Sequence, residues 1–166
     1  MEEKEQIQEI LKILEKDPRI SPEEIGRLTD LSEAEVEKHL SEAEQNGTIL
    51  GYRTYVDWKN VGREEVHALV EVKITPQRGT GFQTMAERIA RFPEVHSLYL
   101  ISGDYDLSIH LVAANIYDVS SFISEKIAPL EGVQGTSTHF VMRRFKENGV
   151  LMIEGEDSPE RLPITP

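Results

Sequence analysis

The sequence predicts an α+β chain in which an N-terminal helix-turn-helix (winged-helix-like) domain precedes a C-terminal ferredoxin-like βαββαβ domain. Three observations predict it. Residues 1–60 hold three amphipathic stretches at helical spacing, two of them opened by the same capping signature. Near residue 66 the apolar period changes from helical to alternating. From there the order reads strand, helix, strand, strand, helix, strand, which is the split unit of a ferredoxin-like sheet. The expected boundaries are 1–51 for the helical domain, 52–65 for an extended hinge, 66–152 for the sheet domain and 153–166 for an acidic, proline-rich, disordered tail.

Each element follows from its residues. Ile7, Ile10, Leu11 and Leu14 line one face of a first helix, which Asp17-Pro18 ends because the residue before proline is driven out of the helical region. Ser21 caps a second helix, with Pro22 at its first position and Glu24 reaching back. Ile20 and Ile25 sit at the positions of a hydrophobic staple. Ser32, Glu35, Leu31 and Val36 repeat the construction for a third helix. That helix buries Val36, Leu40 and Ala43 and stops near Asn46-Gly47. Residues 49–62 read as an extended stretch and hinge. Ala68, Val70, Val72 and Ile74 then alternate with His67, Leu69, Glu71 and Lys73. Residues 76–81 read as loop and 82–92 as a helix. Residues 95–102 and 106–113 read as strands around a Gly103 turn, and 116–128 as a helix. A last strand runs from Gly132 to about Phe145.

Composition narrows the function. The 166 residues include no cysteine, which removes disulfides, thiolate nucleophiles and cysteine-based metal sites. No leader pattern and no membrane-length apolar run occurs, so the expected location is cytoplasmic, with no membrane partner. The five histidines stand singly in the sequence, without the helical pair spacing of a zinc site, and read as structural; no metal or cofactor is expected. There is no phosphate loop, nucleophile elbow or dinucleotide fingerprint, and no nucleophile–base pair can be named. The chain reads as a non-enzyme.

The strand 95–102 carries functional weight. Leu98 and Leu100 face one way and Val95, Tyr99 and Ile101 the other, so both faces of the sheet read as apolar. A second copy of the chain is the expected cover for the uncovered face, with the tail or the N-terminal domain as alternatives.

Residues 3–152 resemble the Lrp/AsnC family, the feast/famine transcriptional regulators of bacteria and archaea. The matching stretches are EQNGTILGY (Glu44–Tyr52), VDWKNVG (Val56–Gly62), FPEVHSLYLISGDYDL (Phe92–Leu107) and LEGVQGTSTHFVMRRFK (Leu130–Lys146). The resemblance implies a DNA-binding helix-turn-helix joined to a ferredoxin-like domain that binds an amino acid and builds dimers, tetramers, octamers or higher rings. Family members usually carry arginine where this chain has His39.

The charge balance sits uneasily with DNA. The chain holds 18 basic and 30 acidic side chains, and residues 1–60 alone hold 8 and 15. Phosphate neutralisation needs clustered lysine and arginine. The outward face of the third helix reads Glu33, Ala34, Glu37, Lys38, Ser41, Glu42 and Gln45. The DNA-contact residues expected are Arg27, Ala34, Lys38, His39, Ser41, Gln45 and Arg53, with double-stranded DNA as partner. The alternative is an amino-acid-sensing oligomeric module that acts through protein partners.

For the effector, Gly103, Asp104, Tyr105 and Asp106 offer backbone N–H groups for a carboxylate and side-chain carboxylates for an ammonium group. Thr136, Ser137 and Thr138 could add hydroxyls. The resemblance, carried over residue by residue, implies the same turn: Gly103, Asp104, Tyr105 and Asp106. A tight hairpin with threonines chosen for strand propensity is the plainer alternative.

Overall fold

A computed structural model describes residues 3–75 and 82–153; the expected loop at 76–81 and the tail from residue 154 lie outside the described residues. The chain divides into two compact units, Met1–Tyr55 and Val56–Pro166.

The N-terminal unit is three helices: α1 (Glu3–Lys16), α2 (Pro22–Thr29) and α3 (Glu33–Gln45). Both capping boxes form. Ser21 accepts from the Glu24 N–H and Ser32 from the Glu35 N–H, while each glutamate carboxylate accepts from the N–H of its serine. Ile10, Leu14, Ile25 and Val36 form the core, with Ile20 and Leu31 packed against it from the two staple positions. Burying each such side chain contributes roughly 1.5–3 kcal/mol. Between α2 and α3 the chain turns through Asp30 in the left-handed conformation. Gly26 sits beneath that turn: a Cβ there would lie 2.6 Å from the carbonyl oxygen of Leu31, so only glycine lets the two segments approach this closely.

The C-terminal unit opens with a short 3-10 turn at Trp58–Val61, where the sequence suggested only an extended hinge. The sheet contains β1 (Val66–Ile74), β2 (Val95–Leu100), β3 (Leu107–Ala113) and β4 (Val133–Phe140) in the order β2-β3-β1-β4, all antiparallel. Helices α4 (Gln83–Ala90) and α5 (Ile116–Phe122) complete the βαββαβ order. Ala68, Val70 and Val72 face Leu111, Ile109 and Leu107 across β1 and β3, and all six are buried with Ile89, Phe122 and Ile127. α5 does not continue as a regular helix to residue 128 but widens into a π-turn at Ile123–Ile127.

Two strand readings need correction. β4 ends at Phe140, not near Phe145; the chain then forms a small hairpin, β5 (Lys146–Glu147) with β6 (Val150–Leu151). Its turn is Asn148-Gly149, with both residues at positive φ, the usual two-residue hairpin pair. β2 ends at Leu100, and a register shift between Val95 and Ser97 breaks its alternation. The bulge brings Val95 to the core side with Leu98, leaving Ser97 and Tyr99 on the opposite face. That face also carries Ser108, His110, Glu71, Lys73, Ser137 and His139. It is mixed and largely polar, so the doubly apolar strand expected from sequence is not what forms.

Candidate functional site

α3 presents Glu33, Ala34, Glu37, Lys38, Ser41, Glu42 and Gln45 to solvent, as its spacing predicts. The staple and both capping boxes fix this face by occupying the opposite one with Val36 and Ala43. The face is internally paired. Lys38 lies 3.8 Å from Glu42, and Gln45 donates to the Ser41 hydroxyl at 3.0 Å. Arg27 pairs with Glu23 one turn earlier on α2, and Arg53 is exposed. These exposed pairs are each worth at most about 1 kcal/mol, so phosphates can compete for the cations.

His39 is the exception among the expected contacts. It is buried, 8% exposed, and its ring lies with the carboxylates of Glu3 and Glu42 within 4.8 Å. Position 39 falls one residue after Lys38, where the helix has turned back toward α1, so His39 is a packing residue and is withdrawn from the outward set. Gly26 is the functional residue that sequence reasoning passed over. Its signal was a lone glycine inside a two-turn helix, a position where glycine costs stability unless close approach requires it.

The expected effector residues gather only in part. Gly103 sits in an exposed turn at φ +125°, with open space where a Cβ would stand. Asp104 is exposed beside it. Asp106 is committed to the fold: its carboxylate accepts from the Ile74 N–H at 2.8 Å and lies 3.7 Å from the Lys73 ammonium. Thr136 and Thr138 pair with Val72 and Val70 and so share the helix-covered side of the sheet, whereas Ser137 pairs with Glu71 on the other side. One hydroxyl of the expected trio therefore points away from the other two. The turn and Thr136 flank the same end of β1, because the Asp106 N–H donates to the Val72 carbonyl while Thr136 is the partner of Val72 in β4.

A groove of about 820 Å³ lies elsewhere in the C-terminal unit, lined by Trp58, Arg63, His67, Tyr117, Arg143 and Arg144 among others. No residue of the Gly103 turn reaches it.

On the open side of the sheet the histidines are not single. His67 and His110, on adjacent strands, stand with Nδ1 and Nε2 3.1 Å apart, and the His96 ring packs at 5.1 Å from His110. Burial, then the neighbouring rings, holds His110 neutral, with its pKa lowered to about 4; burial lowers that of His67 as well. Glu147, held by Arg144 at 2.6 Å, completes the group from the hairpin. No spacing pattern signals this group, because no two of these residues share an element.

Comparison with known proteins accounts for both units. The Lrp/AsnC ligand binding domain matches residues 67–151, and a winged helix-turn-helix DNA-binding domain matches residues 4–49. The HTH-type transcriptional regulator YugG of Bacillus subtilis is 39% identical over 159 residues, covering 95% of each chain. The solved structure of LrpC from B. subtilis superposes with a TM-score of 0.62 at 26% identity, covering 85% of this chain and 95% of that one. A transcriptional regulator of Neisseria meningitidis, solved as its complex with L-Met, superposes at TM-score 0.69 and 21% identity over 86% of this chain and 91% of its own.

Proposed function

The chain belongs to the Lrp/AsnC family, and on that premise we propose that it is a DNA-binding transcriptional regulator that responds to an amino acid as a homo-oligomer. The observation that carries the DNA half is the exposed row Ala34, Lys38, Ser41 and Gln45 on α3, the second helix of a helix-turn-helix whose turn is closed over Gly26. Lys38 and Arg27 supply phosphate contacts once they leave their carboxylate neighbours, and the exposed Arg53 adds another. Several such helices on one assembly engage spaced sites together, which offsets the weak charge of each.

The effector half rests on the Gly103 turn. Gly103 and Tyr105 offer N–H groups to a carboxylate, and Asp104 offers an anion to an ammonium group. Asp106 holds the turn rather than the ligand, through the Ile74 N–H. The turn is open in a single chain, so a second copy completes the site, dimers and larger rings being its natural form. The reading places the protein in the cytoplasm as a regulator rather than an enzyme. Among the described residues, no helix is long and apolar enough to cross a membrane.

The three carboxylates on the outward face of α3, Glu33, Glu37 and Glu42, favour one other reading, in which this face docks a basic protein surface. Selection of bound fragments from sheared genomic DNA, at low and physiological salt and with or without the twenty amino acids, decides between them. Discrete fragments whose retention falls with salt and with Lys38→Ala plus Arg53→Ala support regulation. No enrichment under any condition leaves the protein-docking reading. A shift in retention or melting with one amino acid, lost in Asp104→Ala, locates the effector.

A further inference from the structure

We propose that the open face of the C-terminal sheet carries a transition-metal site, in which His96 of β2, His110 of β3 and Glu147 of β5 bind one divalent ion of the zinc class. The ligand atoms of the three residues lie within 4.8 Å of one another. Donors bound to one tetrahedral zinc stand about 3.3 Å apart, given Zn–N and Zn–O bonds of about 2.0–2.2 Å. Binding would draw the three donors together by up to about 1.5 Å. Two imidazoles and a carboxylate suit zinc, cobalt or nickel, whereas calcium and magnesium prefer all-oxygen sites. Three protein ligands leave a fourth position for water or a further ligand.

The surroundings support an ion rather than a packed stack of rings. A metal-bound histidine ordinarily donates its other ring N–H to a fixed acceptor, which sets its tautomer. His110 has that acceptor in place, since its Nε2 lies 3.1 Å from Nδ1 of His67. His67 is itself 8% exposed, and its Nε2 is buried without a hydrogen-bond partner, 3.9 Å from a Glu65 carboxylate oxygen. A lone buried nitrogen of this kind costs about 1–3 kcal/mol. With an ion on the other nitrogen of His110, protons orient along the line His110–His67–Glu65, and the unpartnered nitrogen becomes a donor facing a carboxylate.

The charges nearby are mixed. Arg144 opposes a cation but engages one oxygen of Glu147 at 2.6 Å, leaving the second for the ion. Glu65, paired with Arg63 at 3.0 Å, adds negative charge behind His67. Because Glu147 belongs to the β5–β6 hairpin, the ion would pin that hairpin to the sheet and add stability to the unit that binds it. Neither α3 nor the Gly103 turn contributes a ligand, so this inference stands or falls apart from the regulatory reading.

The test uses the full chain, tag-free and stripped with a chelator, titrated with Zn²⁺ by calorimetry and with Co²⁺ by visible absorption. One ion per chain, a higher Tm and a Co²⁺ spectrum of mixed nitrogen and oxygen ligation are expected. His96→Gln and Glu147→Gln, each checked for native circular dichroism, should each weaken binding by about tenfold or more. His139→Gln on the same face should leave affinity unchanged. Absence of saturable binding, affinity unaltered by the first two variants, or equal loss in that control overturns the proposal.

Discussion

α2 and α3 each begin on a serine that closes a capping box within four residues, whereas α4 begins without a side-chain cap and β1 draws its partners from 35 or more residues away. The N-terminal unit is held largely by instructions that neighbouring residues give one another. The C-terminal unit is held by pairings that exist only once the sheet has closed. The surfaces inherit this difference. The exposed face of α3 follows from helical spacing, while the group of His67, His96, His110 and Glu147 follows from strand order, a bulge and a hairpin.

This contrast predicts where each unit is most fragile. Ile109→Ala removes a fully buried side chain at the centre of the β1–β3 ladder and should cost about 2–5 kcal/mol, read by denaturant unfolding followed through Trp58. A loss below about 1 kcal/mol would break the idea that the long-range core carries this unit. Gly26→Ala should cost about 1–3 kcal/mol, because the new methyl group meets the Leu31 carbonyl and the α2–α3 turn must open. Its signature is a lower Tm together with weaker DNA retention, while Gln8→Ala on the exposed face of α1 should affect retention far less.

Ser32→Ala removes one capping bond and should cost about 1 kcal/mol; thermal melts that show no change would mean that packing, not capping, starts α3. The smallest effect, about 0.5–1 kcal/mol, is expected for Lys126→Met. Lys126 pairs with Glu94 and lies 5.4 Å from both the Phe92 and Phe122 ring centroids. The Lys126 hydrogen bond holds the Glu94 pKa below its usual value. A depressed carboxylate adds stability above its ordinary pKa and loses it as pH falls through the folded one. The difference between wild type and Lys126→Met should therefore shrink in acid, and a constant difference from pH 7 to pH 3 would assign the effect to the rings instead.

How far the molecule could be read from its sequence follows the same division. Ser21, Glu24, Ser32 and Glu35 announced their helices because capping is a matter of three residues. The strands of the sheet were legible wherever alternation ran unbroken, as from Ala68 to Ile74. At Val95–Ser97 one extra residue shifted the pattern, and alternation then assigned Val95 to the wrong face. Asn148-Gly149 is a strong hairpin signal that was available, masked by the expectation of a longer last strand. His39 misled because charge type suggested a contact, while its place on the helix, facing α1, decided otherwise. In the effector turn, Gly103 was legible from its turn, but the commitment of Asp106 to the Ile74 N–H depends on a strand 32 residues away.

The π-turn in the second helix of the sheet domain bears on which changes of length the chain tolerates. A π-turn holds one residue more than the α-helical turn it replaces, and the surplus at Ile123–Ile127 lets Ile123 pack against the core while Ile127 and Leu130 are buried in it. Deleting Ser124 or Glu125 would restore a regular helix and leave Ile127 and Leu130 facing the core, whereas inserting a further residue would rotate everything beyond it by about 100°. Ile127 and Leu130 would then swing toward water, and β4 would start out of phase with β1. Gain of one residue in this segment should thus do more harm than loss of one, making segment length as much a part of the fold as its side chains.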